Sequence, residues 1–223
     1  MNQRETDFNP INMDFSQRVV VNTHLQDWVE SPSKTVWRKP LEKEKPESGR
    51  TTSLVRFAEN SQFASHTHPL GEEIWVLSGV FSDENGDYPA GSYLRNPPGS
   101  YHQPHSKSGC ELFVKLDHFD QNDTETVRIQ SKKCNFLPGQ GRLEVLPLHS
   151  FKGEHTALVK WPAGEVFKLH RHIGGEEIFV IEGEFRDELG VYPAGTWLRN
   201  PHWSQHQPYV EKDTLILVKV GHL

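Results

Sequence analysis

Short stretches rich in β-branched and aromatic residues recur along the chain. They are TSLVRFA at 52–58, EIWVLSGVF at 73–81, GSYLRN at 91–96 and CELFVKL at 110–116. A second set follows: HTALVKW at 155–161, EIFVIEGEF at 177–185, GTWLRN at 195–200 and TLILVKV at 214–220. None sustains a 3.6-residue apolar period over about 11 residues, as an amphipathic helix would. Turn-forming groups separate them: ENGD at 84–87, PAG at 89–91 and 193–195, and PPG at 97–99. Many short strands at regular spacing predict an all-β chain built as a sandwich or barrel.

The two sets are copies. Residues 49–116 lie over 153–220 at a shift of 104 without a gap. GEEIWVLSGVFSDENGDYPAGSYLRNPPGSYHQP sits over GEEIFVIEGEFRDELGVYPAGTWLRNPHWSQHQP. Upstream, RVVVNT at 18–23 is similar to TVRIQS at 126–131, and KPL at 39–41 to LPL at 146–148. This period is far longer than solenoid repeats of about 20–50 residues, so it predicts two similar domains. The expected boundaries are a loose N-terminus over 1–15, a first domain over 16–119, a linker over 120–126 and a second domain over 124–223.

Charge and composition narrow the function. A net charge of −6 and a pI near 6.1 argue against a basic nucleic-acid or acidic-membrane binding face. Cys110 and Cys134 are too few for a disulfide framework or a cysteine zinc cluster, and both read as core thiols. No apolar run approaches about 18 residues, and the first residues carry no continuous hydrophobic region. A cytoplasmic protein is therefore expected. Thirteen histidines stand beside two methionines and two cysteines. Histidine is both a common metal ligand and a proton carrier, so the placement of these residues matters.

HTHPLGEE at 66–73 recurs as HRHIGGEE at 170–177. Strand side chains alternate between faces, so His66 and His68 share a face, as do His170 and His172. Three residues then turn the chain, and Glu72 or Glu176 opens the next strand. Alternation puts Glu72 with Ile74 and Val76, and Glu73 on the opposite face. Glu72 and Glu176 are thus the expected oxygen ligands, with Glu73 and Glu177 as supporting or edge residues. His102 and His206 each lie 30 residues beyond their glutamate, where an intervening hairpin can return them to the site. Between the copies Thr67 became Arg171 and Pro69-Leu70 became Ile173-Gly174, while the histidines and glutamates remain. The expected metal ligands are His66, His68, Glu72 and His102, and His170, His172, Glu176 and His206.

These residues resemble the motifs of the cupin superfamily. The first motif, G-x5-H-x-H-x3,4-E-x6-G, is met by Gly164, His170, His172, Glu176 and Gly183. The first copy matches except that Asn60 stands at the first glycine. The second motif, G-x5-P-x-G-x2-H-x3-N, is met by Gly91, Pro97, Gly99 and His102, with Ser106 at the asparagine. Gly195, Pro201 and His206 meet it in the second copy, where Trp203 replaces the glycine and Val210 the asparagine. The wording is closer to the cupin-like domain of the anti-sigma factor ChrR, through VLSGVFSDENGDYPAGSYLRNPPGS and DWVESPSKTVWRKPLE.

That resemblance implies two tandem cupin (double-stranded β-helix, or jelly-roll) barrels, each with one divalent ion. Zinc is the expected metal, with iron, manganese and nickel compatible with the same donors. It also implies a regulatory or sensor role in the oxidative, singlet-oxygen transcription response. The H-x3-C-x2-C domain through which ChrR binds its sigma factor has no counterpart in these residues, so no direct sigma-factor contact is expected. The alternative is a metal-dependent dioxygenase acting on a small aryl ketone or diketone. No catalytic residue is assigned beyond the metal set. A small-molecule ligand and a homodimer fit either reading, and nucleic acid and membrane do not. Trp75/Phe179, Tyr93/Trp197, Phe113 and Phe63/Phe167 are candidates for a cavity wall or a plain core. Arg95 and Arg199 are expected to face a ligand or to pair at the rim with Asp83 or Glu84. His105 and His202 read as surface or supporting residues.

Overall fold

The computed structural model describes residues 8–223, so residues 1–7 of the expected loose N-terminus lie outside it. Every apolar stretch named above forms strand. In the first half these are Thr51–Gln62, Glu72–Asp83, Ser92–Asn96 and His105–Leu116. In the second they are Glu154–Trp161, Glu176–Glu182 with Glu184–Asp187, Thr196–Asn200 and Thr214–Val220. Among the described residues, helix is confined to the single turns Thr23–Leu25 and Ser131–Lys133. The chain is all-β, and its two halves are jelly-roll barrels. No helix among the described residues is long and apolar enough to cross a membrane.

The units do not follow the repeat boundaries. One comprises 8–13 and 27–133, and the other 14–26 and 134–223. The first unit's main sheet runs Val127–Gln130, Ser92–Asn96, Glu72–Asp83, His105–Leu116, Thr51–Gln62, Val36–Lys43 and Val29–Glu30. The second unit's runs Val19–Asn22, Thr196–Asn200, Glu176–Glu182, Thr214–Val220, Glu154–Trp161, Glu144–Phe151 and Leu137–Pro138. The opening strand of each repeat therefore edges the sheet built from the other repeat. By contacts, residues 14–26 group with the second unit and 124–133 with the first.

Both edges use one register: Val19 faces Arg199, and Val127 faces Arg95. The same clamp closes both. Thr23 donates its amide and hydroxyl to the Gly195 carbonyl, and Ser131 donates both groups to that of Gly91. An edge strand presents unpaired backbone groups, so any strand of matching pattern and reach can satisfy them. Residues 8–15 are held as well. Ile11 bridges to Lys43, and the Asn12 side chain donates to the Leu41 carbonyl.

A bulge in each long strand aims the site. Ile74 and Val76 enter the first core on even positions, and Phe81 enters it on an odd one. The phase changes at Gly79, where the register with the neighbouring strand also shifts. Gly79 has φ +69°, and a Cβ there would lie 2.0 Å from the Gly109 carbonyl oxygen. Gly183 repeats this with φ +80°, and its Cβ would lie 2.2 Å from the Asp213 carbonyl oxygen. Only glycine fits both constraints. The phase change also puts Asp83 and Asp187 on the inner side with Glu72 and Glu176.

Candidate metal centres

In each unit a two-stranded sheet carries the outer histidines. His66–His68 pairs with Ser100–His102, and His170–Arg171 with Gln205–His206. His66 lies directly opposite His102, and His170 opposite His206. The next strand starts on the glutamate after a turn, so three strand ends converge. His66, His68, Glu72 and His102 can each offer a ligand atom within 4.8 Å of the others. His170, His172, Glu176 and His206 do the same. The structure therefore brings together all eight residues expected from the sequence, in two sets of four. One is half-buried in each set, His66 and His170, and the other three are buried.

The donor atoms suit an ion. His68 Nε2 and His102 Nε2 each lie 3.5 Å from Glu72 Oε2. In the second site His172 and His206 Nε2 lie 3.6 and 3.5 Å from Glu176 Oε2. Two donors each about 2.1 Å from one ion lie roughly 3.0–3.5 Å apart, so little rearrangement is needed. The Nε2 atoms of His68, His102, His172 and His206 are buried without a hydrogen-bond partner. Buried polar atoms are ordinarily paired, and four orphans aimed at two points fit two ions.

The opposite ring nitrogens set the tautomers. His66 Nδ1 lies 2.9 Å from the Ala64 carbonyl oxygen and His170 Nδ1 3.1 Å from that of Lys168. A carbonyl only accepts, so Nδ1 carries the hydrogen and Nε2 presents its lone pair inward. His206 Nδ1 lies 3.2 Å from Asp187 Oδ2. His102 Nδ1 is 3.6 Å from Asp83 Oδ2, an electrostatic pairing longer than a hydrogen bond.

Burial lowers the pKa of His68 and His170, and pushes His172 down to about 3. Burial also acts on His102, but the Asp83 and Glu72 carboxylates outweigh it and raise its pKa. Burial raises Glu176. Asp83 and Asp187 are lowered: burial opposes their charge, and the hydrogen bonds they accept overcome it.

A supporting layer lies behind each glutamate. Asn96 Nδ2 donates to Glu72 Oε2 at 2.7 Å, and Asn200 Nδ2 to Glu176 Oε2 at 2.9 Å. An arginine orients each amide by donating to its Oδ1, Arg128 to Asn96 and Arg18 to Asn200. Arg18 also reaches Asp187 at 3.3 Å and the Tyr192 hydroxyl at 2.7 Å, and Tyr192 donates to Asp187 at 2.6 Å. In the first site Arg128 donates to the Tyr88 hydroxyl at 3.3 Å, and Tyr88 to Asp83 at 3.1 Å.

The sequence left Asp83, Asp187, Arg18 and Arg128 without these roles. The aspartates, tyrosines and asparagines coincide in the repeat overlay, a signal that could have singled them out. The arginines do not coincide. By register Arg18 matches Thr126, and Arg128 matches Val20. They are two positions apart on one strand face, so both reach the asparagine from different places.

Several expectations change. Arg95 does not pair with Asp83 or Glu84: it is buried against Asp123 and Glu73, with Phe119 beneath it. Arg199 donates to the Asp14 carbonyl and lies over Phe15. Both arginines follow the odd phase of their strands, which faces away from the ligands. Glu73 shares that phase and accepts from Tyr93 at 2.7 Å, and Glu177 lies 3.2 Å from His222.

Trp75, Tyr93 and Phe113 sit on the odd face and line no cavity with the ligands, whereas Phe63 does. His202 accepts from the Gly174 amide at 2.7 Å, holding the turn between the second site's ligands. Cys110 is a core thiol pushed up to about 11 by burial, and Cys134 is half-buried.

The first site opens onto a cavity of about 540 Å³. All four ligands line it, with Val36, Val55, Phe57, Phe63, Leu112 and Val114 among its apolar walls. A second pocket, lined by Val166, Leu169, Glu188, Gln207 and Tyr209, touches none of the second site's ligands. In the second core Trp161 holds the register position of Phe57 and packs against Phe167 and Phe185.

Solved structures share the fold. A provisionally assigned dioxygenase from Nostoc punctiforme is 13% identical with a TM-score of 0.77, over 92% of this chain and 82% of that one. A cupin 2 conserved barrel domain protein from Leptotrichia buccalis is 12% identical with a TM-score of 0.64, over 94% and 98%. An oxalate decarboxylase variant from Bacillus subtilis is 14% identical with a TM-score of 0.63, over 91% and 76%. At these identities the likeness shows the fold alone. A comparison with curated proteins finds no match. The family described as ChrR Cupin-like domain matches residues 16–120 and again 124–223, so the chain, with a candidate metal set in each half, belongs to that family as a tandem pair of its domains.

Proposed function

We propose that the chain is a metal-dependent bicupin whose first barrel binds and transforms a small, largely apolar molecule. The observation that carries this is the cavity of about 540 Å³ walled by the four first-site ligands. Pockets for small ligands have this size and this mixture of apolar wall and few polar groups. A divalent ion supplies Lewis acidity there, and a redox-active one supplies electron transfer as well. The protein's part is to hold the molecule against the ligands, to exclude water with Phe57, Phe63 and Leu112, and to keep Nε2 of each histidine free of protons. Dioxygenation is the reaction to test first, by analogy with the Nostoc punctiforme neighbour's assignment, with a small aryl ketone or diketone as the substrate class expected from the sequence. The second site, where Trp161 stands at the register position of Phe57 and packs against Phe167 and Phe185, takes a structural ion, with zinc as the expected metal.

The family match over both halves supports a second reading, a regulator of the oxidative-stress transcription response that senses through the same cavity. Oxygen uptake separates the two. Chain reconstituted singly with iron, manganese, nickel or zinc is assayed with acetylacetone and 4-hydroxyacetophenone. Turnover that His66→Ala abolishes and His170→Ala spares is the expected result. Absence of turnover with every metal, alongside tight binding, would move the assignment to the regulator.

A further inference from the structure

One end of the first cavity carries two cations, Arg38 and Lys43, beside two acids, Glu30 and Glu47. Val36, Arg38 and Pro40 enter it from alternate positions of the Val36–Lys43 strand. A register shift between Pro40 and Glu42 then changes the phase, and Lys43 lines the cavity too. The second barrel lacks both cations. Arg38 faces Val55 and Lys43 faces Thr51; at the matching registers Val145 faces Val159 and Ser150 faces His155. Val145 packs on the second core. The two cations in this cavity's wall are thus without counterparts at the matching positions of the second barrel.

We propose that this cavity recognises a small amphipathic carboxylate, with the carboxylate on Arg38 and Lys43 and the apolar body along Val55, Phe57, Leu112 and Val114. The idea rests on the cavity reading above and names the class of molecule it takes. Arginine and lysine donate charge-assisted hydrogen bonds to carboxylate oxygens, about twice as strong as neutral ones. Glu47 now accepts from Arg38 at 2.9 Å, but its side chain is 54% exposed. Such an exposed pair contributes little, so Glu47 can turn to water at small cost. Glu30, the other rim acid, is exposed. Burial lowers the pKa of Lys43 against the opposing pull of Glu47, and nearby Arg38 lowers it further, so an anion taking the place of Glu47 would keep the pair of cations balanced. Asp117, the acid near the cavity's inner end, already accepts from the Leu70 amide at 3.0 Å.

The test is calorimetric titration of the metal-loaded full chain with octanoate, 1-octanol and octylamine. Octanoate should bind at least about tenfold tighter than 1-octanol. An Arg38→Gln/Lys43→Gln double variant should lose at least about tenfold for octanoate and nothing for 1-octanol. Its metal content and near-ultraviolet circular dichroism should match those of the parent. If 1-octanol or octylamine binds as tightly as octanoate, or the double variant is unchanged, the carboxylate assignment falls while the cavity reading stands. If no probe binds, both fall.

Discussion

Trp203 shows how a single residue can leave a motif without breaking the site. It stands where Gly99 stands in the first copy and takes φ +65° itself, with 57% of its surface exposed. Its amide reaches the His172 carbonyl at 2.9 Å, as the Gly99 amide reaches that of His68 at 2.8 Å. Asn60 likewise adopts φ +56° at the place of Gly164. The loop accepts the strain, of order 1–2 kcal/mol for tryptophan, because its hydrogen bonds leave no alternative.

Protonation is also a property of single residues. His172 in the metal-free fold has a pKa of about 3, below its ordinary 6.5. The unfolded chain therefore binds a proton the fold refuses, and stability at this position is lost as pH falls from 6.5 toward 3. His102 has the opposite sign. Its pKa is raised above 6.5, so its contribution is present below 6.5 and lost as pH rises through the raised value. Imidazole nitrogen NMR of metal-free protein should show His172 neutral down to about pH 4. It should show His102 titrating above 6.5.

At the scale of elements, the edge strands do more than close a sheet. Val19–Asn22 brings Arg18 to Asn200 and Asp187, and Val127–Gln130 brings Arg128 to Asn96. Each arginine fixes groups that in turn fix a ligand. Groups supporting a metal ligand are typically worth about 10–100-fold in metal affinity. Arg18→Ala should weaken the second site by that factor and leave the first unchanged, and Arg128→Ala should do the reverse. Competition with a chromophoric chelator measures both. Had the edge strands paired within their own repeats, the two effects would exchange places. The bulge glycines belong to this scale too, because the phase change in each strand carries Asp83 and Asp187 inward.

Across the whole molecule, two ligand sets predict two divalent ions per chain, counted by elemental analysis of protein purified without added metal. Ions that bind the fold and not the unfolded chain stabilise it by about 2.7 kcal/mol at a hundredfold excess over Kd. Chelation should therefore lower Tm, in two steps if the units unfold separately. His66→Ala should remove one ion and His170→Ala the other. Under one ion per chain would end the two-site reading.

The strands and the His-x-His…Glu part of each candidate metal set were legible in the sequence because they are local, whereas His102 and His206, 30 residues further on, were legible only through the repeat and the cupin motif. Alternation along HTH, the glutamate after a tight turn and the turn residues between strands each need only a few neighbouring residues. What the tertiary structure decided is non-local. An edge strand carries no mark of its partner, and RVVVNT and TVRIQS are similar enough to cap either sheet, so their exchange is invisible without the fold. Arg18 and Arg128 could not be matched, because they reach equivalent asparagines from different positions. Arg95 was expected to face a ligand or pair at the rim, and Trp75, Tyr93 and Phe113 to line a cavity or a plain core; strand phase decided both by turning all four away from the candidate ligands, which leaves the aromatics as core. The cavity followed from packing: Phe57 and Trp161 hold the same register, Arg38 and Val145 another, and only the assembled barrel shows space and charge beside the first candidate metal centre.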